Sequence, residues 1–264
     1  MQLGIGPYEL LVQHSPRVLR LALRRADSPV MVLLSEFAVS EGSEGAIGVG
    51  QLIRSFVDVA GREHVKQMRL FVQTGHFALI PEDVYDVTVG LRYLDLTAQL
   101  PDGLTAAETR HAEFVNVFAV DAGLKTALKD TGIPLAGMHH QADAQHLYAR
   151  QMLDQTDPKR VVQALVEDHW VSFYVSRQGK TLLANTFLFT TADEFADACR
   201  YVNQITQSAG EGTACLVLQG QIVQEGVLYK RVFPFFRQID FAQPSAGNMD
   251  IANLEPHRFF DLRY

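Results

Sequence analysis

The chain is poor in the residues that would commit it to redox, membrane or nucleic-acid work. Only two cysteines and one tryptophan occur in 264 residues. Cys199 and Cys215 fall in a helix-like and a strand-like apolar stretch, so two buried free thiols are expected rather than a disulfide or a metal pair. Near the start the apolar runs are no longer than residues 30–34, far short of the roughly 20 residues that span a bilayer, so no membrane insertion is expected. The opening Met1-Gln2-Leu3-Gly4-Ile5-Gly6-Pro7-Tyr8 lacks the basic and apolar regions of a secretion signal, and the expected location is cytoplasmic. Basic residues are outnumbered, 23 Lys and Arg against 30 Asp and Glu, and a net charge of -7 argues against nucleic acid as a partner. What is present, 47% apolar and 20% charged residues, describes a folded globule long enough for two modest cores.

Three β-rich runs open the chain, at 8–13, 18–24 and 30–39, joined by the turn-like His14-Ser15-Pro16-Arg17 and Ala26-Asp27-Ser28-Pro29. Connections this short require antiparallel neighbours. Residues 40–50 are glycine-rich and read as an irregular loop, after which 51–65 places Leu52, Ile53, Phe56 and Val57 on one side of a helix. A strand at 69–73, a second run at 77–80 and a short helix from Glu82 follow. Beyond Pro101-Asp102-Gly103, apolar 114–120, helical 124–130, extended 133–138 and helical 141–153 read as parallel strands crossed by helices. The polar, proline-broken segment 154–159 is the expected boundary, giving halves of 1–156 and 157–264. The second half repeats the theme: strands at 170–176 and 181–189 flank the turn Arg177-Gln178-Gly179-Lys180, and Thr191-Ala192-Asp193-Glu194 reads as a capping box ahead of an apolar stripe. A strand at 214–218, a helix at 221–236 and a strand at 238–242 complete it. Antiparallel strands first and strand-helix units after is the order of a ribonuclease-H-like unit. The expected fold class is therefore α/β with mixed sheets, an actin-like duplication of that unit with a shorter second half.

Three stretches resemble the bacterial domain of unknown function family 3822. They are Phe77-Ala78-Leu79-Ile80-Pro81-Glu82-Asp83-Val84-Tyr85-Asp86, then Asn185-Thr186-Phe187 leading into the helix that opens Thr191-Ala192-Asp193-Glu194-Phe195, and the strand Leu216-Val217-Leu218-Gln219-Gly220 with Tyr229 beyond it. The resemblance implies an actin-like, duplicated ribonuclease-H fold with no established activity.

ATP hydrolysis on such a fold needs glycine-rich hairpin turns whose amides cradle phosphates, and acids that hold Mg²⁺. The first hairpin turn has neither acid nor glycine, and its proline removes a donor; the second has one glycine, Gly179, and no acid. Asp121-Ala122-Gly123 resembles an acid-x-glycine phosphate loop, with Asp121 as a helix N-cap the plainer alternative. Gly45 to Gly50 has P-loop spacing, but Gln51-Leu52 stands where Lys and Ser or Thr are needed. Asp121, Gly123, Gly179 and Asn185 are the candidates for lining a cofactor cleft, with Asn185 also expected to satisfy backbone groups. No cofactor is expected on the leading reading, and ATP with Mg²⁺ belongs to the alternative. His139, Asp143 and His146 share one helical face if the helix begins by His139, and could hold a divalent metal. Glu9, Glu36 and Asp121 are the strand acids that two-metal nucleolysis would require to converge. The aromatic clusters at 232–236 and 259–260 read as core or as a partner surface. The leading expectation is a noncatalytic actin-like protein that has lost its phosphate loops and acts on an unidentified protein partner, a homodimer included. The alternative is a divergent nucleotide-binding protein or ATPase using the cleft between the halves.

Overall fold

The computed structural model describes residues 6–28, 30–39, 42–96, 99–153, 160–208, 214–243 and 255–263. Residues 1–5, Pro29, Ser40, Glu41 and 154–159 of the segments read above lie outside these. Strand β1 (Tyr8–His14) pairs antiparallel with β2 (Val18–Arg25), and β2 with β3 (Met31–Ala38). Alternation puts the fully buried Leu10, Val12, Leu21 and Leu23 on one face, and Glu9, Gln13, Arg20 and Arg24 on the other. Helix α1 (Gly42–Ala60) packs on β2, burying Val49, Ile53, Phe56 and Val57. The chain then returns as β4 (Val65–Val72), parallel to β1.

An insertion follows. Strand β5 (Phe77–Pro81), the short helix α2 (Arg92–Asp95), β6 (Leu104–Arg110) and β7 (Phe114–Asp121) build a three-stranded antiparallel sheet ordered β5-β7-β6. Leu94, Val115, Val117 and Ala119 form its own small core. Helix α3 (Ala122–Lys129) packs on α1, and β8 (Leu135–His140) closes the first sheet parallel to β4, giving the order β3-β2-β1-β4-β8. Helix α4 (Gln141–Leu153) comes next.

The second sheet takes β9 (Val161–Glu167), β10 (Trp170–Arg177), β11 (Lys180–Leu188), β12 (Cys215–Gly220) and β13 (Gln238–Phe241) in the order β11-β10-β9-β12-β13. Strand for strand this repeats the first sheet: an antiparallel meander of three strands beginning with the leading strand, and two parallel strands on its other side. Helix α5 (Ala192–Ile205) stands where α1 stands, and the capping box read at Thr191 and Glu194 is formed. Phe195, Cys199 and Val202 of α5 pack with Val162, Phe173 and Leu216 of the sheet. The contacts divide the chain within α4: one unit runs to Asp143 and takes in Asp261–Arg263, and the other begins at Ala144.

Four expectations need correction. Residues 42–50 are helix, not loop, because tertiary packing outweighs the weak helix propensity of glycine. A Cβ at Gly50 would lie 3.3 Å from both Cβ and O of Ala127, so glycine there lets α1 approach α3. Residues 114–120 form the centre of an antiparallel sheet rather than a parallel strand, since β6 and β5 flank β7 on both sides. Strands β6 and β9 went unread. The helix expected over 221–236 shrinks to α6 (Val227–Val232), because Gly220 (φ 80) and Glu225 (φ 64) break the chain ahead of it. Of the aromatic clusters, Phe236, Phe259 and Phe260 are buried core, and Phe233 is exposed.

Gly220 is the position where the fold tolerates least. A Cβ would sit 2.2 Å from the Val166 carbonyl oxygen at a positive φ, so Gly220→Ala should destabilise by roughly 3 kcal/mol or more in denaturant unfolding. At helical Gly48, where nothing lies within 4 Å of a Cβ, alanine should instead stabilise by about 1 kcal/mol. Equal effects at the two sites would contradict this reading.

Candidate functional site

Strand β1 ends at His14, and alternation carries its imidazole to the face of Leu10 and Val12. There a cavity of about 370 Å³ opens, lined by His14 and Pro16 of the first hairpin, Ala46 of α1, His76 and Asp121, with Leu124 of α3. Asp121 is the last residue of β7 and the N-cap of α3, its Oδ1 accepting from the Leu124 amide at 2.8 Å. A Cβ at Gly123 would stand 2.9 Å from that oxygen and 3.2 Å from the Ala46 Cβ, so glycine leaves room for the cap. The acid-x-glycine pattern is thus a capping arrangement that also forms a cavity wall.

Gln73 and Thr74 also line the cavity, Gln73 donating to Asp261 at 2.8 Å and the Thr74 hydroxyl accepting from the His76 amide at 3.2 Å. The second Asp121 oxygen and the His14 and His76 rings have no hydrogen-bond partner among the described residues. No lysine or arginine is among the lining residues. Burial pushes the His14 pKa down to about 4, against a smaller upward pull from the Asp121 charge, so the ring is neutral at pH 7. Sequence reading passed over His14 and His76; the strand alternation that sends His14 to the core face was the available signal.

Gly179 and Asn185 belong to the other unit. Gln178 (φ 49) and Gly179 (φ 78) make the two-residue turn of the β10–β11 hairpin, where glycine serves the backbone. Asn185 is exposed on β11, and its Oδ1 accepts from the Thr186 amide at 2.8 Å; it satisfies the backbone as expected, but at the surface.

The three proposed metal ligands have separate duties. His139 lies on β8, since the helix starts only at Gln141, and its ring stacks on Phe71. Asp143 is buried and accepts from His111 Nε2 at 2.8 Å, Asn116 Nδ2 at 2.8 Å and the His140 amide at 2.7 Å. Burial alone would raise its pKa, and these hydrogen bonds hold it below the ordinary aspartate range. His146 bonds the Tyr174 hydroxyl at 2.7 Å. No group of three or more His, Cys, Asp or Glu side chains able to hold a metal occurs among the described residues. The strand acids do not converge either: Glu9 pairs with Arg24 and Arg69, and Glu36 with Arg20, on the sheet face opposite His14. Both cysteines are buried free thiols, with burial pushing the Cys215 pKa up to about 12. No described helix is long and apolar enough to cross a membrane.

The duplicated sheets define an actin-like ATPase fold. A Bacteroides thetaiotaomicron protein of actin-like ATPase fold and unknown function is similar over 90% of this chain and 91% of its own, at TM-score 0.75 and 15% identity. PilM, solved in a PilM-PilN type IV pilus biogenesis complex, is similar over 96% of both chains at TM-score 0.64 and 13% identity. The ethanolamine utilization protein EutJ from Carboxydothermus hydrogenoformans is similar over 100% of this chain and 90% of its own, at TM-score 0.55 and 8% identity. The chain belongs to the family described as protein of unknown function (DUF3822), which matches residues 3–239. No curated protein matches it in sequence.

His14, and the fully buried His140 with a pKa also pushed to about 4 by burial, set a pH dependence. Below pH 6.5 the unfolded chain takes up protons that the folded chain refuses until about pH 4. Stability should therefore be fully present above pH 6.5 and fall as pH drops towards 4, by on the order of 3 kcal/mol per histidine. Denaturant unfolding of His14→Gln across this range should show a shallower decline, by one proton's linkage. A wild-type and variant decline of equal slope would contradict the burial of His14.

Proposed function

We propose that this is a noncatalytic actin-like protein, its phosphate-binding loops lost, that acts through contacts with another protein, a second copy included. The observation that carries the reading is how the β1–β2 turn uses its donors. The Ser15 amide donates to the Val18 carbonyl at 2.9 Å, the Val18 amide to Ser15 Oγ at 3.1 Å, and Pro16 has no N–H. A turn closed on itself in this way presents little to a phosphate, which needs several converging amides or a lysine. The β10–β11 turn, two residues long with one glycine, offers no acid for a metal. PilM, similar in fold, is known here from a complex with PilN, and this lends support to a role in assembly.

A second reading, nucleotide binding, is favoured by one observation: Asp121 stands on the wall of the same cavity as His14 and Pro16 of the first hairpin. Thermal unfolding with millimolar Mg-ATP, Mg-ADP and Mg-GTP separates the two. A nucleotide at 100 times its dissociation constant adds about 2.7 kcal/mol to the native state. The scaffold reading expects no shift with any of them; a clear shift that disappears in Asp121→Asn would overturn it.

A further inference from the structure

The cavity of the first unit has a chemistry that the scaffold reading leaves unused. Its walls are largely apolar, with Pro16, Ala46, Val72, Leu104 and Leu124 among them, and its volume of about 370 Å³ lies in the range of small-molecule sites. Five polar residues are set into those walls: Gln73 donates to Asp261 and the Thr74 hydroxyl accepts from the His76 amide, whereas the His14 and His76 rings and the second Asp121 oxygen have no hydrogen-bond partner among the described residues. Three other carboxylates on the strands and at the start of α4 are matched: Glu9 with Arg24 and Arg69, Glu36 with Arg20, Asp143 with His111 and Asn116. Asp121 is the acid on a cavity wall where the described lining residues include no lysine or arginine. A partly desolvated carboxylate without a counter-charge favours a cation, and an apolar enclosure favours an organic one.

We infer that this cavity binds a small organic ammonium compound, with the free Asp121 oxygen accepting from its N–H groups and the apolar walls holding its hydrocarbon or aromatic body. The His14 ring, kept neutral by burial, adds a hydrogen-bonding partner without competing positive charge, and the His76 ring lines the same wall. Phosphorylated ligands are disfavoured at the same place, since Asp121 repels them unless a metal intervenes. The inference goes beyond the scaffold reading and stands whether or not that reading holds.

Tryptamine is a suitable probe, an arylalkyl ammonium small enough for the cavity, with indole-3-propionate as its anionic counterpart. Titration into the full chain, followed by calorimetry and by the histidine ring resonances, should show saturable one-to-one binding of tryptamine that moves the His14 signal. Asp121→Asn keeps a side chain competent to cap α3, so its unfolding temperature should hold while tryptamine affinity falls at least tenfold. Indole-3-propionate should bind far more weakly. Equal affinity of the two probes, an Asp121→Asn variant that binds as wild type, no binding of tryptamine, or Zn²⁺ moving the His14 signal where tryptamine does not, would each sink the assignment. Mg-ATP that raises the unfolding temperature while tryptamine stays bound would refute the scaffold reading alone.

Discussion

The first unit depends on one buried carboxylate. Asp143, 2% exposed, gathers a ring nitrogen from His111, a side-chain amide from Asn116 and a backbone amide from His140. His111 lies in the turn between β6 and β7, Asn116 on β7, and His140 at the end of β8 where α4 begins. Asp143 thereby ties the inserted three-stranded sheet to the edge of the main sheet, alongside the Thr109 hydroxyl donating to the Met138 carbonyl at 3.3 Å and Phe118 stacking on His140. Stranding such a charge by removing its donors costs several kcal/mol, so these elements order together. His140 extends the same network, its Nε2 paired with the Thr74 carbonyl at 3.0 Å in the connection between β4 and β5. The cavity lies among the elements so joined, which is why its geometry follows from this anchor.

Both units bury polar side chains on the sheet face opposite α1 or α5. In the first, Gln13 and Gln73 donate to Asp261 at 3.1 and 2.8 Å, which brings the chain's last described turn onto β1. In the second, Gln219 donates to Gln163 at 2.9 Å, Gln163 to the Gln145 carbonyl at 2.8 Å and Gln145 to the Ser172 carbonyl at 3.2 Å. An apolar face accepts many registers of the helix packed on it, whereas a chain of directed amide bonds accepts few. These glutamines hold Asp261 against the first sheet and Gln145 against the second.

The duplication was legible in the sequence because hairpins announce themselves locally. Ser15-Pro16 and Gln178-Gly179 are turn chemistry, the Thr191–Glu194 box is four residues long, and the flanking apolar runs alternate. What escaped had no local signature. Strand β6, Leu-Thr-Ala-Ala-Glu-Thr-Arg, is made a strand by pairing with β7, and the glycine-rich start of α1 is made a helix by α3. The site divides the same way: Asp121 and Gly123 were visible as a motif, but the cavity that Asp121 shares with His14 joins segments about a hundred residues apart. The helical spacing of His139, Asp143 and His146 misled because a helix boundary two residues later moves His139 onto a strand.

Electrostatics ties the two functional readings together. A unit negative charge about 4 Å from the Asp121 carboxylate would meet a repulsion of about 4 kcal/mol at an effective dielectric of 20. An anionic occupant of the cavity must therefore bring positive charge to Asp121 before it brings anything else. A metal-nucleotide could do so through its metal, but would then need donors for the phosphates, and the self-bonded Ser15–Val18 turn has few left to offer. An organic cation needs none of these, only the carboxylate and the apolar walls already in place. The proline and serine that close the first hairpin thus bear on more than its turn geometry: by spending backbone donors locally, they leave fewer for an anion at the adjoining cavity.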